Sequence, residues 1–462
     1  MNPSDPSPRQ LSADLLARYE KSGPRYTSYP TAPHFTGDVD RQALAARWGT
    51  GAGTDRGLSL YVHIPFCKSR CGYCGCYTLT DQPDQTVDRY LQGVLDQADE
   101  IRALVDPSRP VRQLSFGGGT PTYPGPGRFR ALMEGLTSRF SFDPAGERAV
   151  EVDPRSLDTD YLDLLVDLGF NRFSFGVQDL EPRVQEIVHR VLPVERLEAL
   201  MSHLRARGVD AINLDLIYGL PTQTEESFGR TLDQVIALRP TRLAVFGYAH
   251  VPWVAPHQAA LSEHPIPDRD QRLGLFSLAW EKLRDAGWEQ VGMDHFARPE
   301  DELVGALRTR TLHRNFMGYT TRRGLDLVGL GASAISGVAG TYTQNIKPVS
   351  GFLAATGVDR WARGWLLDAE DLLRRDVIID LLCNLHLSYD RVEATHGVRF
   401  AEHFAPELAA LEALAKDELV VLGGRTLDVT PLGRYFIRNV AMVFDSYLQR
   451  GAAPEARYSK TI

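Results

Sequence analysis

Four of the chain's five cysteines fall within ten residues, at Cys67, Cys71, Cys74 and Cys76 in YVHIPFCKSRCGYCGCYT. The spacing C-x3-C-x2-C lets one short loop offer three thiolates to three corners of a cubane, and soft thiolates are what an iron–sulfur cluster takes as ligands. With Cys76 pointing elsewhere, one iron is left open to a substrate or cosubstrate. Zinc is the alternative, but a structural zinc site of this type draws a second ligand pair from elsewhere. The sequence has no second Cys pair. Cys383, alone in the apolar run VIIDLLCNLHL, reads as a buried thiol.

Other residues invite chemistry less directly. Gly117, Gly118 and Gly119 in GGGTPT permit close backbone approach and expose N–H groups that can pair with a carboxylate. VGLGASAIS contains a G-x-G-x-x-A string, but a dinucleotide site needs a following helix and an acidic residue about twenty positions on. No convincing acid stands there, so nicotinamide binding is disfavoured. His250, His295 and His313 read as hydrogen-bonded structural residues, and Trp253, Trp280, Trp288, Trp361 and Trp365 as core or helix-packing residues.

These groups must be positioned by a scaffold, and from Leu58 onward short β-rich runs alternate with long amphipathic segments, the pattern of βα units. Six strands are predicted, at 58–64, 112–116, 148–152, 171–176, 210–216 and 242–248, with helices at 86–105, 129–140, 156–168, 195–207 and 224–238 between them. Each strand after the first ends on polar or Gly-rich residues, and barrels of this kind build their sites on the carboxyl ends of the strands. The expected fold class is α/β: a partial (β/α)6 TIM-like barrel with an N-terminal arm and a mainly α C-terminal domain. The expected segments are an arm without a core of its own (1–56), the barrel (57–296), an extension and connecting region (297–366) and an accessory domain (367–462). The end, LVVLGGRTLDVTPLGRYFIRN, has a winged-helix outline, but no basic recognition helix accompanies it, so DNA binding is disfavoured.

Composition agrees with a soluble globular chain. Of 462 residues 43% are hydrophobic, and 51 Lys+Arg against 59 Asp+Glu give a net charge of -8, which argues against a surface-wide polyanion site. The polar, Pro-rich start has no apolar signal region, and no run of about eighteen apolar residues occurs. A cytoplasmic protein with no membrane span is expected.

The thiol string is similar to the cluster loop of radical S-adenosylmethionine enzymes, and GGGTPT to the element that such enzymes place against the methionine part of that cofactor. In the same order, GPRYTSYPTAPHF, EVDPR, GVQD, INLDLIYGLP, FGYAHVP, GMDHFARP, LHRNFMGYTT and ASAIS resemble segments of the oxygen-independent coproporphyrinogen III oxidase family. The resemblance spans residues 19–462. It implies a 4Fe-4S cluster on Cys67, Cys71 and Cys74, and two molecules of S-adenosyl-L-methionine. Tyr61, Gly118, Glu151 and Ile335 match positions around the cofactor on the cluster. Tyr73, Gly119, Thr120, Gln178, Arg190, Asp215 and Ala249 match positions around the second. Glu151 and Asp215 are strand-end carboxylates able to accept from ammonium or ribose hydroxyls, and Arg190 can pair with a carboxylate. The implied substrate is coproporphyrinogen III, whose propionates call for cations, for which Arg25, Arg298, Arg314 and Lys347 are candidates. A reductant such as flavodoxin or ferredoxin is the implied partner, with no nucleic acid or membrane, and a monomer is expected. The arm at 24–35 and the C-terminal domain are expected to lid the cavity. A heme-binding chaperone of the same superfamily is the alternative function.

Overall fold

The computed structural model describes residues 6–50, 56–449 and 458 and divides into two compact units. One comprises residues 36–272 and 324–366, the other residues up to 35, 273–323 and 367 onward. The outermost parts of the expected arm and accessory domain, with 51–55, lie outside the described residues.

Among the described residues the main sheet has ten strands in the first unit: β1 (Leu58–Ile64), β2 (Val111–Gly118), β3 (Phe142–Val152), β4 (Arg172–Gln178), β5 (Ile212–Tyr218), β6 (Arg242–Gly247), β7 (Asp326–Leu330), β8 (Ile335–Val338), β9 (Thr341–Asn345) and β10 (Trp361–Leu366). Their order is β10-β9-β8-β7-β1-β2-β3-β4-β5-β6. β7 and β1 to β6 run parallel, and β8 to β10 are added antiparallel beyond β7. Helices return the chain between parallel neighbours, as parallel pairing requires. The helix Asp84–Arg102 does so by burying Val87, Tyr90, Leu91, Val94, Ala98 and Ile101 along one stripe. The helix Glu225–Leu238 starts on a Thr224/Ser227 capping box and stops where Arg239 turns left-handed. This is the partial (β/α)6 barrel expected from the alternating pattern.

Alternation along the strands separates the two faces. On β4, Phe173, Phe175 and Val177 are buried against helices, while Arg172, Ser174, Gly176 and Gln178 take the other face. The inner face carries a polar ladder: Ser59 donates to Gln113 (2.9 Å), Gln113 to Glu147 (2.9 Å), and Arg172 to Glu147 (2.9 Å). Each side chain is tied to the next, as buried polar groups require.

The second unit gathers parts of the chain that are distant in sequence. Its core joins Leu16, Tyr19, Tyr26 and Tyr29 to Leu381, Phe400, Phe404, Phe436 and Phe444. The expected wing is present as an antiparallel sheet of His386–Ser388, Thr426–Val429 and Val420–Leu422, followed by the helix Ile437–Met442. The compact units thus cut across the four expected segments. The aromatic residues of YTSYPT are buried in the core of the second unit, whereas the helix Arg41–Gly49 belongs to the first. There Trp48 donates to Thr341 (3.0 Å) and stacks near Trp361. Residues 297–366 divide at Arg323 for the same reason. VGLGASAIS forms β7 and β8 with no helix after its glycines. Trp253 departs from the core role expected of it, being 72% exposed, while Trp280, Trp288 and Trp361 are buried.

Candidate active site

The thiol loop leaves the carboxyl end of β1, beside GGGTPT, whose first two glycines end β2. Gly119 is indispensable to this approach: a Cβ there would lie 2.7 Å from the Phe66 carbonyl oxygen and 3.0 Å from Cys67 Sγ. Gly118 adopts φ +119, where a side chain is strained, and its Cβ would strike the His63 ring. The Gly119 and Thr120 N–H groups donate to the carbonyls of Ile64 and Phe66 (2.8 Å each), locking the two loops together.

Each sulfur has a defined neighbourhood. Thr120 Oγ1 donates to Cys67 Sγ (3.5 Å), and burial pushes that thiol up. Cys71 is buried and accepts from Arg190 Nη1 (3.4 Å) and Arg155 Nη2 (3.6 Å). Cys74 is pulled down to about 6, chiefly by its hydrogen bond with Cys76, with Arg190 and Arg70 adding their charges. Cys76 is exposed. Among the described residues no three His, Cys, Asp or Glu side chains converge closely enough for a single metal ion. The residues fit a cluster: thiols on one short loop, hydrogen-bond donors to their sulfurs and a glycine cradle with no room for a Cβ. Such donors tune a thiolate-bound cluster.

The carboxylates come from neighbouring strands. Glu151, at the end of β3, accepts from Gly118 N–H (3.3 Å). Its side chain is accessible in the barrel mouth, yet the enclosing protein, with Asp215 adding repulsion, pushes its carboxyl up to about 7. Asp215 on β5 accepts from Ser174 (3.1 Å) and Asn213 (2.8 Å). Gln178 ends β4 in the left-handed region at φ +71. Tyr61 on β1 is hydrogen-bonded to His63 Nδ1 (3.1 Å), and burial lowers the His63 pKa to about 4. Tyr73 packs beside Val184, Val188 and Leu261, and its carbonyl accepts from Gln258 (2.7 Å). Ala249 is exposed just after β6, and Ile335 opens β8.

All eleven residues matched to the cofactors therefore lie in one unit with the three thiols. Arg190 has a larger engagement than the sequence suggests, bonding the Gly176 carbonyl, Cys71 and Asp153 (3.4 Å). Asp153 and Arg155, paired at 2.6 Å, were not singled out from sequence. They stand in the EVDPR string two and four residues after Glu151, the available signal. The candidate cations for propionates differ: Arg25 pairs with Asp294, Arg298 with Glu300 (3.1 Å), and Lys347 lies 5.4 Å from the Tyr77 ring centre. Arg314 is buried over Tyr319 with two nitrogens unpaired. Of the histidines, His250 bonds Tyr248 and Ser262 and His295 bonds Asp294, whereas His313 departs from expectation with a buried, unpartnered Nδ1.

Family models match residues 61–235 (Radical SAM superfamily) and 367–436 (HemN C-terminal domain). The chain is 43% identical to oxygen-independent coproporphyrinogen III oxidases of Salmonella typhimurium and Escherichia coli K12, over 99% of this chain and 100% of each relative. The Synechocystis protein of that name is 41% identical, over 95% and 96%. A solved structure described as coproporphyrinogen III oxidase (HemN) from Escherichia coli, a radical SAM enzyme, superposes with a TM-score of 0.88 at 41% identity, covering 95% of this chain and 100% of that one.

Proposed function

The chain belongs to the family of oxygen-independent coproporphyrinogen III oxidases, and on that premise we propose that its thiol loop and strand ends convert two propionates of coproporphyrinogen III to vinyl groups, giving protoporphyrinogen IX for heme biosynthesis. One arrangement supports the site: three thiols on a loop pressed against Gly118 and Gly119, with Glu151 and Asp215 at neighbouring strand ends. When bound, the 4Fe-4S cluster and S-adenosyl-L-methionine would supply the radical chemistry for removing a hydrogen from the propionate β-carbon, which lets carbon dioxide leave and passes one electron to an external acceptor.

The chain's own residues do the holding. Cys67, Cys71 and Cys74 ligate the cluster, with Arg155, Arg190 and Thr120 donating to their sulfurs. Tyr61, Gly118, Glu151 and Ile335 surround the cofactor on the cluster, with the ionised Glu151 carboxylate accepting from its amino group or ribose hydroxyls. Tyr73, Gly119, Thr120, Gln178, Arg190, Asp215 and Ala249 serve a second cofactor molecule. The electron comes from a flavodoxin or ferredoxin. The enzyme works as a cytoplasmic monomer without nucleic acid or membrane, and among the described residues no helix is long and apolar enough to cross a membrane.

The test is anaerobic reconstitution followed by a product assay with coproporphyrinogen III. Divinyl product with two carbon dioxide released per substrate is expected. Heme binding without decarboxylation would overturn the reading in favour of a chaperone.

A further inference from the structure

Arg155 matches no cofactor position in the family resemblance, yet its side chain is engaged at every edge. Its Nε donates to both oxygens of Asp153 (3.0 and 3.2 Å), Nη2 to one of them (2.6 Å) and Nη1 to the His189 carbonyl (3.0 Å). Nη2 also reaches Cys71 Sγ (3.6 Å). A guanidinium held at so many points keeps one orientation, and its planar fork loses little freedom in doing so. The turn after β3 closes the pair on itself, because Asp153 Oδ1 also accepts from the Arg155 backbone N–H (3.1 Å).

A second element brings Arg190 to the same sulfur. Gly72 N–H donates to the Val188 carbonyl (2.9 Å), and His189 turns left-handed at φ +55, which carries Arg190 back to the thiol loop. There Arg190 Nη1 donates to Cys71 Sγ (3.4 Å) and Asp153 Oδ2 (3.4 Å). Cys71 thus accepts from two guanidinium groups, whereas Cys67 accepts from the neutral Thr120 hydroxyl (3.5 Å). Asp153 is the anion that both cations share. Burial works against its charge, but the Arg155 hydrogen bond prevails and holds the carboxyl below its ordinary range. Two cations on one carboxylate leave excess positive charge beside this sulfur, with side-chain exposures of 20% for Arg155, 13% for Asp153 and 8% for Arg190. Charge so enclosed is weakly screened.

We propose that Arg155 is a positioning residue for cluster reduction: its N–H bond to Cys71 and its charge raise the reduction potential of the cluster that Cys71 ligates, while Asp153 aims it and offsets part of its charge. The inference rests on the cluster assignment above and gives that cluster a tuning group. A donor and a cation at a ligand sulfur stabilise the electron that reduction adds. In that step an external reductant gives up one electron and the cluster gains it, and no bond or proton of the Arg155–Asp153 pair changes.

The test is a dithionite titration of the anaerobically reconstituted full chain, with the reduced cluster followed by electron paramagnetic resonance to give its midpoint potential. S-adenosyl-L-methionine is left out, which keeps effects on its binding from the reading. Arg155→Gln should shift the one-electron equilibrium about tenfold or more toward the oxidised cluster, a midpoint about 59 mV more negative. Arg155→Lys keeps the charge and should lie between that variant and the parent. Asp153→Asn keeps an accepting oxygen for the fork but removes the offsetting anion, so its midpoint should move the other way. General damage to the loop does not produce shifts of opposite sign. A parent midpoint in Arg155→Gln, or a negative shift in Asp153→Asn, would overturn the assignment. If Arg155→Gln assembles no cluster, the sign of the shift in Asp153→Asn decides; if neither assembles one, the pair serves the folding of the loop and the assignment falls. A parent that takes up no 4Fe-4S cluster overturns the function reading and this inference with it, whereas unshifted midpoints in intact clusters sink this inference alone.

Discussion

Single side chains divide the cysteines into two groups. Cys67, Cys71 and Cys74 have donors or charges directed at their sulfurs, while Cys76 is an exposed free thiol hydrogen-bonded to Cys74. Serine at any of the first three should abolish the visible cluster spectrum, and Cys76→Ser should retain it while impairing turnover; full iron and activity in a Cys71→Ser protein would refute the ligand assignment. Glu151 adds a pH dependence. Its carboxyl, pushed up to about 7 by its surroundings and by Asp215, holds its proton below that value and is then the weaker acceptor for the cofactor's amino or ribose groups. Cofactor affinity should fall as pH drops through 7, approaching about tenfold per unit well below it, and level off above. Anaerobic binding titrations from mildly acidic to mildly alkaline pH measure this, and Glu151→Gln should bind weakly with a flatter profile. The thiols were legible because their chemistry is carried by spacing alone. The Arg155–Asp153–Arg190 group was not, since its meaning arises only when β3 and the segment after Pro182–Ile187 meet at Cys71.

At the level of elements, the parallel strands β1 to β6 were readable because burial on one or both faces imprints apolar runs of fixed length, and the turns after them are marked by Gly and polar residues. The predicted 112–116 and 148–152 grow to Val111–Gly118 and Phe142–Val152, because ladder pairing continues past the apolar run that signals a strand. β7 and the antiparallel β8 to β10 carry weaker patterns and emerged only from pairing, β7 with β1 and each of the others with the strand before it. The contact of the β1 and β2 loops is itself testable. Gly119→Ala puts a methyl group 2.7 Å from a backbone oxygen and 3.0 Å from Cys67 Sγ, and relieving that overlap costs about 1–3 kcal/mol. Thermal melting should show the loss, and iron content should fall with it because the displaced atom is a ligand. A variant that melts like the parent with full iron would show that the two loops have slack.

For the whole molecule, the partner of the arm was not readable because YTSYPT has neither helical nor strand periodicity, and a segment without a period gives no sign of a distant partner. In the structure Tyr29 is fully buried, and its hydroxyl oxygen lies 3.1 Å from Ser446 Oγ and accepts from the Ser446 N–H at 3.1 Å. Tyr26, also buried, donates to Asp445 (2.8 Å). The arm is therefore structural, and its loss should be read first as a loss of stability. Tyr29→Ala removes a buried ring and is expected to cost about 3–5 kcal/mol, whereas Tyr29→Phe gives up only the hydroxyl bonds, at about 1 kcal/mol. Denaturant melts of the two variants separate packing from hydrogen bonding. All three ligand thiols and the strand-end carboxylates belong to the other unit, so the cluster spectrum should reconstitute in both variants. A Tyr29→Ala protein that melts like the parent would remove this residue from the core, and a lost cluster spectrum with an unchanged melt would assign it to the site instead.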